Sequence, residues 1–291
     1  QDPPPSHAVA LSSVMPPMRV FNTSYIAPAA RSNMEIAQDF LDLSFRMESG
    51  RAVPRLTRFE GPITVRATGR TNPTMIRDLS DLLVHMRNET GIDITLVPAN
   101  QPTAITVQAV PRATMQAAVP RAACFVVPRL TSWDDFKIAR RTPQVDWTTL
   151  TRRDRAAIFI PSDVAPQEIR DCLHEELAQA LGPLNDLYRL PDSVFNDDNI
   201  HTVLTSFDML VLRTFYAPEL RNGMSHGEAA IRLSTILARL NPAGQRVPGQ
   251  PLNDTSRDWI EAIETALASG AAPSRRRRAA QQAIALGRAF G

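Results

Sequence analysis

The stretch HEELAQALGPLND, His174 to Asp186, sets a histidine, carboxylates and amides at helical spacing and can be read in two frames. Starting at His174 it opens like a zinc-binding helix, whose second histidine stands four residues later; here that position is Ala178. Shifted by one it reads Glu175-Glu176-x-x-Gln179-x-x-Gly182-x-x-Asn185, followed by Asp186. Residues four apart share one helix face, so Glu175 and Gln179 are placed to grip one ion. Gly182 is expected to turn the chain sharply and return Asn185 to the same point. Glu176 stands where a general base would act on metal-bound water.

The donor types argue against zinc, which prefers histidine nitrogen and cysteine sulfur. Calcium or magnesium suits these oxygens better, but calcium takes six or more of them, and only Asp186, Asp197 and Asp198 are at hand to add carboxylates. The expectation is therefore a polar cluster with no resident cofactor, and calcium or zinc as the metals to consider if one binds. For Glu176 two readings stand: a base of raised pKa, or a buried helix carboxylate paired with an Asn or Arg.

Other residues give weaker signals. His174 and His201 can be imagined as a ligand pair, but single surface imidazoles are the commoner fate. Asn196 to Asn199 can bind calcium or, more simply, turn the chain and cap a helix. Trp133, Trp147 and Trp259 can line a binding surface or pack. Cys124 and Cys172 are the two cysteines of a chain that starts at Gln1 with a Pro/Ser-rich stretch, as a processed export signal would leave it. In an oxidising compartment they are expected to pair.

These residues need a scaffold, and 291 residues, 43% hydrophobic, suffice for one large domain with appendages. No run approaches the ~18 apolar residues of a membrane span. A net charge of +2 gives no electrostatic case for nucleic acid. Residues 1–32 read as an extended Pro-rich arm, 33–240 as the main domain, and 241–291 as a helical tail. Within the main domain a capped helix spans 32–50, strands fall at 61–69, 92–98, 104–110, 123–128 and 156–161, and helices at 72–91 and Pro166 to Leu181. This predicts an α+β domain with one mixed sheet. The stretch 130–155 between the last two strands is too long for a turn and reads as a cover or contact surface. Helices are also expected at 225–240, 256–269 and 274–290, the last beginning with Arg275, Arg276, Arg277 and Arg278. That run offers an anionic contact, or simply a solvated helix start.

The shifted frame resembles the metzincin signature H-E-x-x-H-x-x-G-x-x-H/D, with spacing, Glu and Gly kept and every ligand replaced. LPDSVFNDD (190–198) resembles the turn beneath the metal, with Phe195 in place of methionine, and LTSFDMLVLRTFY (204–216) resembles the helix that follows. The resemblance implies a zincin-like fold over roughly residues 56–220. A closer resemblance is to an uncharacterised proteobacterial envelope family carrying E-E-x-x-Q-x-L-G-x-x-N-D, in which His174 is incidental. Together these imply an exported, periplasmic or secreted protein with a degenerate site, acting in binding or structure beside an envelope protein partner. The rival is an active hydrolase using Glu176 as base.

Overall fold

The computed structural model describes residues 31–120, 122–190, 192–196, 202–249, 257–268 and 270–287. Helix α1 (Asn33–Ser44) starts where predicted, at a capping box between Ser32 and Glu35, but stops six residues early. Phe45 closes it, and the chain turns back so that the Val53 N–H reaches the Phe45 carbonyl; Gly50, with φ +77°, belongs to that turn. Tertiary pairing wins here over a helical pattern that continues in the sequence.

Five strands form one sheet in the order β2-β1-β3-β5-β4, with β1 Ile63–Gly69, β2 Ile94–Leu96, β3 Ile105–Val110, β4 Phe125–Pro128 and β5 Ala156–Pro161. All pairs are parallel except the edge pair of β4 with β5, where Val126 faces Ile158. The mixed sheet is as expected. Strand β5 is buried along its whole length because both faces are covered. Ala156, Ile158 and Ile160 join the main core with α2 (Pro73–Thr90) and α5 (Pro166–Leu181). Ala157 and Phe159 point to the opposite face, as the period of two requires.

That opposite face is closed by two short helices the apolar periodicity did not reveal, α3 (Arg112–Ala118) and α4 (Trp133–Ala139). Trp133 and Phe136 of α4 ring Phe159 in an aromatic cluster, with centroid separations of 5.1 and 5.4 Å. The segment 130–155 is thus a cover, and its aromatic residues pack inward. Helices α6 (Ser206–Phe215) and α7 (His226–Leu240) complete the main core, α7 lying against α1. Helices α8 (Arg257–Leu267) and α9 (Pro273–Gly287) pack on each other, and Trp259 meets Tyr188 edge-on at 5.3 Å.

Candidate functional site

Helix α5 carries the two-frame motif. Pro166 at its first turn presets φ, and its far end is finished by side chains from elsewhere in the fold. Arg153 is buried and donates to the carbonyls of Gln179 and Ala180, both at 2.7 Å, and to that of Gly182. The Tyr216 hydroxyl donates to the Leu181 carbonyl at 3.0 Å. Carbonyls at a helix C-terminus have no intrahelical partner, and a cation there also meets the negative end of the dipole. Burial pulls the Arg153 guanidinium down to about 10, so it remains charged, and Trp147 lies under it at 4.7 Å.

Gly182 is needed for a reason other than the sharp turn expected of it. Its φ of −170° is extended backbone open to any residue. A Cβ there would lie 2.7 Å from the Phe215 ring, so it is the packing of α6 that excludes a side chain.

The sequence-predicted site residues separate into two groups. Glu176 is 3% exposed and its Oε2 accepts no hydrogen bond from the described residues. Burial raises its carboxyl well above the ordinary carboxylate value, and the neighbours that add to this are Glu175, Glu48 and Asp186, all acidic. Gln179 joins this group by donating to the Glu48 carboxylate at 3.2 Å. Asn185 instead donates to the Asp42 carbonyl at 3.0 Å, tying the loop after α5 to the end of α1. The same loop is stitched to α1 by the Leu184 N–H on Leu43 and by the Glu48 N–H on Leu184. Among the described residues no Asn or Arg donates to Glu176 Oε2.

His174 is a core residue, not a surface imidazole. It is 1% exposed, its Nδ1 accepts the Leu204 N–H at 3.1 Å, and Nε2 has no partner among the described residues. Burial, helped by His85 and Arg170, pushes its pKa down to about 3, so it is neutral. His201, Asp197 and Asp198 lie outside the described residues. Asn196 donates to the Leu190 carbonyl at 2.9 Å, and Phe195 is fully buried. The Ser193 hydroxyl and the Val194 N–H both donate to Asp208 of α6, whose carboxylate also caps that helix through Thr205. Burial pushes Asp208 up to about 6 against these bonds. Cys124 and Cys172 are joined in a disulfide between the residue before β4 and the middle of α5.

Zinc does not fit this donor set. Gln179 and Asn185 are turned to different partners, and among the described residues no three His, Cys, Asp or Glu side chains are arranged to hold a metal ion. No helix of the described residues is long and apolar enough to cross a membrane. Arg275 to Arg278 sit exposed in the first turns of α9, where Arg276 donates to the Ala266 carbonyl.

Residues 33–235 match a family described as a protein of unknown function (DUF2927). The chain belongs to this family. The matched region runs from the first residue of α1 into α7 and so contains the sheet, α5 and the whole acidic group around Glu176. No curated protein and no solved structure matches the chain.

Arg153 and Glu48 were not foreseen. In TRRDR (151–155) nothing local distinguishes the arginine that turns inward, and Glu48 reaches α5 only because the chain reverses at Gly50.

Proposed function

We propose that this DUF2927 member is an exported, zincin-like protein whose former active-site helix now serves binding or structure in the cell envelope. The observation that carries the reading is the use made of the ligand positions. The Gln179 amide donates to Glu48 in the turn after α1 and the Asn185 amide to the Asp42 carbonyl of α1, so the two residues bind α5 and its following loop to α1 and the turn that follows it. A side chain locked into such a tie supplies rigidity.

Three further points support it. Four parallel strands with one antiparallel edge strand fit the zincin resemblance drawn from the motif. The Cys124–Cys172 disulfide fits an oxidising compartment. Burial among carboxylates raises the Glu176 carboxyl well above its ordinary value and so favours the neutral form, which cannot act as a base. The expected ligand is an envelope protein partner.

The test is a peptide-library digest with wild-type protein and Glu176→Gln, alongside their melting curves. The expected outcome is no cleavage by either protein and a change in melting behaviour. Cleavage by wild type, lost in Glu176→Gln with melting unchanged, would establish the hydrolase reading instead.

A further inference from the structure

On the far side of the loop that carries Arg153 lies a cleft of about 290 Å³, lined by Arg129, Leu150, Thr151, Arg152, Asp154 and Arg155. The geometry points to this cleft as a binding site for a phosphate-bearing anion, a phosphomonoester group either free or on a lipid headgroup.

Charge is the first argument. Three guanidiniums face one carboxylate, and Asp154 is already held by Arg152 at 2.9 Å. Arg129 and Arg155 have no carboxylate partner among the described residues. Two guanidiniums without a carboxylate match the charge of a phosphomonoester dianion, and the planar fork of Arg155 matches its oxygens.

Preorganisation is the second. Arg129 donates to the Pro143 and Gln144 carbonyls, the Thr149 hydroxyl at 2.8 Å and the Thr149 carbonyl at 2.9 Å. Its charge is thereby fixed in place by neutral groups, while its Nε–H has no acceptor among the described residues. Arg129 is also the one non-glycine of the described residues in the left-handed region, at φ 64°. Its N–H holds that conformation by donating to the Arg155 carbonyl at 2.8 Å, which links the two arginines across the cleft. The Arg155 guanidinium takes no partner among the described residues and is exposed to solvent. One anchored and one free guanidinium form a cleft that needs little rearrangement to close on an anion. The size sits at the lower end of small-ligand sites, which run from roughly 300 Å³ upward, as a headgroup-sized ligand requires.

The full chain is titrated calorimetrically with inorganic phosphate at constant ionic strength. In parallel it is sedimented with phosphatidylcholine vesicles with and without phosphatidic acid. Arg155→Gln removes the free guanidinium, and Arg87→Gln on α2 removes one exposed charge elsewhere. Wild type is expected to bind phosphate, phosphatidic acid vesicles or both. Arg155→Gln should weaken that binding at least about tenfold, the size of a lost charge-assisted hydrogen bond, and Arg87→Gln should leave it unchanged. Binding of free phosphate points to a soluble ligand, and binding of vesicles alone to a lipid headgroup. No binding of either probe, or equal weakening by both variants, overturns the assignment.

Discussion

The guanidinium of Arg153 donates to the Gln179 carbonyl at 2.7 Å, and by this bond the cover segment 130–155 holds the end of the motif helix. Two further carbonyls, of Ala180 and Gly182, depend on the same side chain. Arg153→Met keeps much of the volume but orphans the Ala180 and Gly182 carbonyls in a buried setting and leaves that of Gln179 with the Gly182 N–H alone, at 3.3 Å. The expected loss is about 3 kcal/mol or more, at roughly 1–3 kcal/mol per unsatisfied buried group. Arg153→Lys should fall between, since an ammonium cannot reproduce the planar fork. Urea midpoints at constant slope measure both.

Gly182 and Phe215 are expected to behave as one unit. Gly182→Ala forces its Cβ against the ring at 2.7 Å and should cost about 1–3 kcal/mol, the usual range for overpacking. Phe215→Leu, costly by itself, should recover part of that loss in the double variant. A double-mutant cycle in chemical denaturation reads the coupling; strict additivity would show that the ring is not the cause.

The disulfide closes a sequence separation of 48 residues. The chain-entropy account gives about 4 kcal/mol for a loop of that size. Unfolding of wild type with and without reductant, compared with Cys124→Ser/Cys172→Ser, measures it. The variant without reductant should match the reduced wild type.

Much of the frame can be read from the residues themselves. Pro166 and Gly182 bracket α5, Asn72 and Gly91 bracket α2, and the alternation in ITVRATG and the unbroken AAIFIP run identify two interior strands, the first buried on one face and the second on both. Each of these signals is local. What escaped is decided by contacts distant in sequence. The residues of α1 continue a helical pattern past Ser44, yet the chain stops there because Phe45 and Val53 pair. His174 looks incidental, and only the packing of α5 against Leu204 shows it to be buried and an acceptor. The partners of Gln179 and Asn185, Glu48 and Asp42, lie more than 130 residues upstream.

His174 should set the acid limit of stability. Its pKa in the fold is about 3, below the ordinary 6.5 that it regains on unfolding. The unfolded chain therefore binds a proton that the folded one refuses, and stability present above pH 6.5 is lost as pH falls toward 3. The effect is at most about 4–5 kcal/mol across that window. His174→Asn places an amide oxygen where Nδ1 accepts the Leu204 N–H and has no proton to gain. It should melt with a visibly flatter acid limb; an unchanged limb would assign the acid sensitivity elsewhere.

The most direct test of the account is the difference in melting temperature between Glu176→Gln and wild type from pH 4 to 9. Glu176 is a buried carboxyl whose pKa is held well above the ordinary value by burial and by Glu175, Glu48 and Asp186. Its folded pKa lies above the ordinary 4.5, so the unfolded chain gains ionisation free energy as pH rises. Wild-type stability from this residue is then full below pH 4.5 and is lost progressively above it. Gln keeps the shape and never ionises. The predicted result is near equality at pH 4, with the Gln variant increasingly the more stable as pH rises. A Gln variant less stable than wild type at neutral pH, with the deficit shrinking toward pH 4, would mean a charged Glu176 paired to a donor and would contradict the account.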